Sequence, residues 1–292
     1  MPKRNFLLSV LAFVGLWSAA VPASAQALLP YSLQLNSEQL EQNGLALAQD
    51  AIQLVRFQQY QQALPRAKLA AQLAPDAYQT WFILGSLYVQ LEELDKGIET
   101  LEKARTLAPD EAGILFTLGS AYFQKEDYAG AIREIERGLK LQPDSKEALF
   151  DLGNAYMMLK QFDKAVVAYE KSLAEDKDFW PAINNIGLVK YEQGDLEAAL
   201  EKWQQAIAID NEAAEPQLAV AVALFANGER EKAVALGETA LAIDSRYADL
   251  EFLEENLWGE TLLSDTAKFL ATPQMQAILA RLGELEEIEI AP

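Results

Sequence analysis

Apolar residues in this chain recur at intervals of three and four, and the whole arrangement repeats every 34 residues. In one repeat, a first set of apolar residues marks one face of a helix: Trp81, Leu84, Leu87, Tyr88 and Leu91. A second set marks another face: Ile98, Leu101, Ala104 and Leu107. Side chains three and four apart share a helix face, so each repeat is predicted to form two helices. Pro109 ends the second helix, because proline cannot continue a helix interior.

Three rows of small residues run through the repeats at the same spacing. The first row is Ala51, Gly85, Gly119, Gly153, Gly187 and Ala221. The second row is Ala63, Gly97, Ala131, Ala165, Ala199 and Ala233. The third row is Ala70, Ala104, Gly138, Ser172, Ala206 and Ala240. We expect the first two rows to face each other within a repeat and the third to meet the next repeat. A strict period of this length predicts a solenoid, in which each unit buries its apolar face against its neighbours.

The period divides the chain into an N-terminal segment, a block of repeats and a C-terminal segment. The repeats occupy 44–77, 78–111, 112–145, 146–179, 180–213 and 214–247, after a helix entry in 26–43. Gly194 and Gly228 fall at the turn inside their repeats and suit a left-handed helix ending. Asp76, Asp110, Asp144 and Asp178 are expected to cap the helices that follow them. Residues 248–292 are predicted to form capping helices, the first of them spanning Tyr247 to Leu257, and an acidic, mobile tail.

These residues resemble the tetratricopeptide repeat. The pattern is clearest in Trp81-x2-Leu84-Gly85-x2-Tyr88, followed by Gly97, Leu101, Ala104 and Pro109. The first and sixth repeats are degenerate, as suits terminal units with one neighbour. The resemblance implies an all-α, right-handed α-solenoid of six helix hairpins with C-terminal capping helices. It also implies a non-catalytic protein that binds other proteins.

The family assigns its concave lining to positions 2, 5, 9, 12 and 13 of each unit, and the resemblance gives the candidate partner-binding residues. Those at position 5 are Phe82, Phe116, Phe150 and Asn184; at position 9, Ser86, Ser120 and Asn154; at position 12, Val89, Phe123, Met157, Tyr191 and Phe225. The three phenylalanines at position 5 lie outside the expected packing pattern. We therefore predict an apolar groove for a hydrophobic or helical segment of a partner protein. The alternative is that the groove is filled by tight curling of the solenoid or by the chain's own terminal helix.

The composition limits which partners and which kinds of site are expected. The chain has 292 residues, 24 basic and 44 acidic, for a net charge of −20, and it has no cysteine and no histidine. This acidic balance disfavours nucleic acid and anionic membrane surfaces as partners. No phosphate loop, zinc spacing or nucleophile elbow is present, so we expect no catalytic residues, no metal and no cofactor. Residues 248–292 contain ten acidic and two basic residues. This excess of negative charge serves either to steer a basic partner or to keep the tail solvated.

The N-terminal residues have the pattern of an export signal peptide. Lys3 and Arg4 precede an apolar run from Phe6 to Trp17, and Ala23-Ser24-Ala25 is a small-x-small cleavage site. The alternative is an uncut membrane anchor formed by residues 6–21. Either interpretation predicts an exported or membrane-associated protein, in a periplasm, in a lumen or at a thylakoid or plasma-membrane surface, and not a plain cytosolic one.

Residues 250–273 are similar to the ends of tetratricopeptide proteins from cyanobacteria and plastids, through Leu250-x-Phe252-Leu253-x2-Asn256-Leu257-Trp258-Gly259 and Thr272-Pro273. One such family binds the light-dependent protochlorophyllide oxidoreductase at thylakoids and is held there by its N-terminus. The resemblance implies a client protein in pigment synthesis or photosystem biogenesis. Two other functions stay open: a binding module for a small ligand or glycan, and an oligomerisation unit acting through the helices between Leu257 and Leu282.

Overall fold

The computed structural model describes residues 36–290, with side chains through Gly283; the predicted signal or anchor lies outside these residues. Within this range the chain forms fifteen α-helices and one 3₁₀ turn, with no strand. The first twelve helices are α1 (Ser37–Arg56), α2 (Tyr60–Leu73), α3 (Tyr78–Gln90), α4 (Leu94–Leu107), α5 (Ala112–Gln124), α6 (Tyr128–Leu141), α7 (Lys146–Met158), α8 (Phe162–Glu175), α9 (Trp180–Glu192), α10 (Leu196–Ile209), α11 (Ala214–Ala226) and α12 (Arg230–Ile243). None of the described helices is long and apolar enough to span a bilayer.

Consecutive helices pair into antiparallel hairpins that stack side by side, α1 with α2 through α11 with α12. From the second hairpin onward, the first helices begin 34 residues apart. Each hairpin turns through one residue with positive φ, between 55° and 91°: Gln58, Glu92, Glu126, Lys160, Gly194 and Gly228. The left-handed ending predicted for the two glycines is therefore confirmed. The other four turns adopt the same positive-φ conformation with other residues, whose Cβ atom carries a steric cost that glycine avoids.

The small-residue rows bring the two helices of a hairpin together, as predicted. A Cβ built on Gly97 would lie 3.4 Å from the Gly85 carbonyl oxygen, and a Cβ on Gly119 would lie 3.4 Å from the Ala131 carbonyl oxygen. A large buried residue then covers the first-row glycine. Leu101, Ile135, Tyr169 and Trp203 fill this place in successive hairpins.

The third row packs within its own hairpin as well as against the next one. Ala104 lies in a buried cluster with Ile114 and Leu118 of the next hairpin, as predicted. Gly138 lies beneath the ring of Phe116, and the Ser172 hydroxyl donates to the Lys146 carbonyl at 2.9 Å. These two contacts are to the first helix of the same hairpin and add to the predicted contacts with the next one.

The predicted aspartate caps are wrong, because the capping position falls one residue later, as at Ser145 before α7, whose side chain accepts from the Ala148 amide.

The C-terminal segment folds back onto the solenoid. A 3₁₀ turn, Ser245–Ala248, leads into α13 (Leu250–Glu255), α14 (Glu260–Leu270) and α15 (Pro273–Ile290). The single helix expected from Tyr247 to Leu257 is instead this turn and the short α13. Helix α14 packs on α9 and α11, and α15 packs on α12. The backbone of 284–290, expected to be a mobile tail, continues the helix α15.

The glycine rows give a direct stability test. A Cβ on Gly187 would lie 2.5 Å from Nε1 of the fully buried Trp203. We expect Gly187→Ala to lower the free energy of unfolding by about 1–3 kcal/mol, because the core is overpacked. Gly113→Ala is the matched control, because its new Cβ would have its nearest neighbours at 3.8 Å, an ordinary van der Waals separation. Urea denaturation midpoints measure both variants, and equal midpoints would contradict the packing described here.

Candidate protein-binding site

The concave face is divided by the chain's own C-terminus. In the family this face is built from the first helices of the hairpins, here α7, α9 and α11 in its C-terminal half. Every residue from 182 to 189 in α9 and from 214 to 223 in α11 is buried. Helix α14 lies against both helices and covers them. The alternative of a groove filled by a terminal helix therefore applies to this half of the surface.

Polar contacts fix α14 in place. The Glu192 carboxylate accepts hydrogen bonds from the backbone amides of Thr261 at 3.2 Å and Leu262 at 3.0 Å, and so caps the start of α14 from a different helix. The Tyr191 hydroxyl donates to Asp265 at 2.8 Å. The two Glu192 bonds satisfy amides that a helix N-terminus leaves without partners, and they place a negative charge where the helix dipole favours it.

Trp258, two residues before the start of α14, adds a buried anchor. The Trp258 indole Nε1 donates to the Glu215 carboxylate of α11 at 3.1 Å, and only 3% of Trp258 and 8% of Glu215 is exposed. Burial raises the pKa of the Glu215 carboxyl to about 7. Neither residue was a candidate from the sequence, because no periodic pattern links positions 43 residues apart.

Apolar contacts complete the docking of α14. Phe269, fully buried, packs on Phe225 with ring centroids 5.3 Å apart. Gly237 on α12 leaves the space that the Phe269 ring occupies, since a Cβ there would lie 2.7 Å from it. Leu262 and Thr266, on the same face of α14, are also fully buried.

Four of the predicted partner-binding residues are not available at the surface. Val89, Met157, Asn184 and Tyr191 are buried within the chain. The prediction is wrong for these four because their side chains are used inside the fold. Val89 packs against Gly97, and the Met157 sulfur accepts a hydrogen bond from the Tyr169 hydroxyl. Asn184 donates to Asn185, and Tyr191 packs on Trp203 and bonds to α14. Phe225 is partly buried against Phe269 and also lines a separate cleft with Arg230 and Pro273, so its role stays a prediction.

The three phenylalanines at position 5 are not equivalent. Phe116 sits over Gly138, and Phe150 packs on Tyr169 and on Phe179, with centroids 5.7 Å and 5.2 Å apart. The expectation that all three lie outside the packing pattern is therefore wrong. Phe116 and Phe150 contribute to the packing and are partly buried.

Phe82 lines an open cleft in the N-terminal half of the concave face. The cleft has a volume of about 410 Å³ and lies between α1, α3 and the start of α5. Its lining is mainly apolar, with Ile52, Val55, Tyr78, Gln79, Phe82, Ile83, Ser86, Leu87, Gln90 and Glu111. Of the predicted set it contains Phe82 and Ser86. Ile52 and Val55 occupy concave positions 9 and 12 of the first repeat, so the family register alone would have found them.

The remaining predicted residues lie between these two regions. Ser120 and Phe123 on α5 are partly buried, and Phe123 packs edge-on against Tyr128 at 5.2 Å. Asn154 accepts hydrogen bonds from the Tyr169 hydroxyl at 2.8 Å and from Asn185 at 3.0 Å. That acceptor is thus used inside the fold. No cluster of three or more metal-ligating side chains occurs in the described part of the chain.

Comparison with known proteins identifies the repeats. A family profile described as tetratricopeptide repeat matches residues 116–179, and a second, described as TPR repeat, matches residues 187–228. These two stretches carry tetratricopeptide repeats. A third profile, for Chs5p-Arf1p-binding proteins, matches residues 25–111. No curated protein sequence matches the chain.

Solved structures share the tetratricopeptide solenoid. The Pseudomonas aeruginosa protein pilF aligns with a TM-score of 0.62 at 16% identity, covering 76% of this chain and 98% of that one. The MamA protein aligns with a TM-score of 0.52 at 24% identity, covering 59% and 94%. YrrB, described as a TPR protein with an unusual peptide-binding site, aligns with a TM-score of 0.51 at 22% identity, covering 60% and 90%. At these identities the likeness establishes the tetratricopeptide fold.

The buried Glu215 makes a prediction about pH. Its pKa is raised from 4.5 to about 7, so the native state keeps a proton that the unfolded state loses, and the free energy of unfolding falls as pH rises through this interval. Glu215→Gln keeps an acceptor for Trp258 without the charge. We expect its urea midpoint to change less than wild type between about pH 5 and about pH 8, and to exceed wild type at the upper end.

Asp151, whose pKa burial raises to about 6, retains part of the dependence in that variant. Glu212→Gln, at an exposed position two residues before the start of α11, is the control and should follow wild type. A Glu215→Gln profile parallel to wild type would show that this carboxyl does not carry the effect.

Proposed function

We propose that this protein is a non-catalytic tetratricopeptide scaffold or assembly factor that holds a client protein in the cleft between α1 and α3. The observation that carries the proposal is the contrast between the two halves of one surface. The C-terminal half is filled by α14, while the N-terminal half keeps an apolar cleft of about 410 Å³ open to solvent. An exposed apolar surface of this kind in a repeat protein is typical of a contact site.

Helix α14 indicates what kind of segment suits such a surface. It places one apolar face on two adjacent first helices, and a carboxylate of the solenoid caps its N-terminus. A client helix with an apolar face would bury its side chains against Ile52, Val55 and Phe82 in the same manner. This is the helix-in-groove mode of recognition, in which anchors three and four residues apart enter one groove.

For the client we propose a protein of pigment synthesis or photosystem biogenesis at the thylakoid, on the resemblance of residues 250–273. We likewise propose an exported or membrane-associated location, on the N-terminal sequence. Titration of purified light-dependent protochlorophyllide oxidoreductase tests this client. Saturable binding that Ser86→Trp abolishes and Thr106→Trp, on the exposed face of α4, leaves intact would support it. Absence of binding would remove this client while leaving the scaffold role to the test below.

A small ligand is the second candidate, because the volume of the cleft falls within the range of small-molecule sites. An oligomerisation role for the segment from Leu257 to Leu282 loses support. Its largest apolar side chains are buried within the chain itself: Leu262, Phe269, Leu270, Met275 and Ile278.

Site-specific photo-crosslinking tests the location of the client. A benzophenone amino acid at Gln79, an exposed residue of the cleft, should form a protein adduct in the native cell. The same probe at Gln204, exposed on α10, is the control and should not form that adduct. The adduct is identified and the purified partner is rebound to the unmodified chain. Equal adducts at both positions, or none at Gln79, would contradict the proposed site.

A further inference from the structure

A second cleft, larger than the first and sharing no residue with it, lies where the C-terminus meets the turns of the second and third hairpins. It has a volume of about 970 Å³. One side is formed by the turns and the helix ends beside them, with Glu92, Leu94, Phe123, Gln124, Glu126, Tyr128 and Met158. The other side is formed by Glu251, Glu254 and Glu255 of α13 and by Leu257, two residues beyond that helix. The chain's own fold brings these segments together from more than 90 residues apart in sequence.

The cleft combines apolar and acidic side chains. Its apolar members are all partly buried: Leu94, Phe123, Tyr128, Met158 and Leu257. The Phe123 and Tyr128 rings meet edge-on at 65° and present a fixed aromatic surface. An apolar side chain that enters this cleft would displace water from the apolar lining, which is favourable in free energy.

The acidic members have no cation of their own. Glu92, Glu126, Glu251, Glu254 and Glu255 are exposed, and none of them forms an ion pair within the described residues. No lysine or arginine lines the cleft. The nearby Lys96 and Lys125 are paired with Glu93 and Asp95. Five like charges around one cleft attract cations and repel anions, and the low-dielectric walls strengthen that field.

We propose that this cleft binds a lysine- or arginine-rich amphipathic segment of a partner protein, with its apolar side chains on Phe123, Tyr128 and Leu257 and its cations on the five glutamates. Nucleic acid and anionic membranes carry the wrong charge. A metal ion is disfavoured because these carboxylates do not converge into a metal-binding cluster. Separated carboxylates above an apolar floor match a peptide that alternates cationic and apolar faces. The proposal goes beyond the client site between α1 and α3 and stands without it.

The test is fluorescence anisotropy of the full chain with three labelled peptides. The first is an amphipathic helix of lysine and leucine, the second has the same composition in scrambled order, and the third replaces lysine with glutamate. We expect saturable, salt-sensitive binding of the first peptide, at least about tenfold weaker binding of the second, and none of the third. Equal binding of the first two peptides would overturn the proposal, because it would show attraction by charge alone.

Two protein variants and one control variant locate the site. Glu251→Gln, Glu254→Gln and Glu255→Gln together should weaken binding about tenfold or more. The control triple is Glu197→Gln, Glu201→Gln and Glu212→Gln, which removes the same charge at exposed positions outside the cleft and should change affinity by less than about twofold. Phe123→Gln should also weaken binding, with circular dichroism melts to check the fold. Equal loss in both triples, or undiminished binding by Phe123→Gln, would overturn the proposal.

Discussion

The close approach of two helices within each hairpin is the constraint on which the rest of the structure depends. It exists because one small residue from each helix meets at the crossing, as where Gly97 approaches the carbonyl of Gly85. The space that the first-row glycine leaves is occupied by a single large side chain. This residue is larger in the later hairpins: Leu101 and Ile135 are followed by Tyr169 and Trp203. The second to fifth hairpins are thus each held together by one small-to-large contact, which recurs along the solenoid.

That repetition explains why the concave face has two regions. A solenoid unit needs neighbours, and the last hairpin would leave the apolar faces of α11 and α12 exposed. Helices α14 and α15 return to cover them, and α14 extends as far as α9. The cover ends there, and the first helices nearer the N-terminus keep apolar side chains such as Ile52 and Phe82 at the surface of an open cleft. The first cleft therefore lies on the part of the concave face that the C-terminal helices do not reach.

Much of this fold could be predicted from the sequence, because its causes are local or periodic. The helix faces, the contact of the first two small rows and the left-handed turns at Gly194 and Gly228 each depend on residues within one repeat. The division of the site could not be predicted in the same way. The bond from Tyr191 to Asp265 joins residues 74 apart, and nothing in a 34-residue period indicates where a non-repeating tail will return. The packing of the Phe116 ring could not be predicted for a related reason, because Gly138, the residue that leaves space for it, lies on the other helix of the hairpin.

The central claim, that one half of the concave face is open and the other is closed by α14, can be measured by thiol labelling, since the chain has no cysteine of its own. Ser86 and Val222 occupy position 9 of different hairpins; Ser86 lines the open cleft and Val222 is fully buried. We predict that a maleimide reacts rapidly with Ser86→Cys and at least about a hundredfold more slowly with Val222→Cys, because the latter reacts only when the structure opens locally. Equal labelling rates at the two positions would contradict the account.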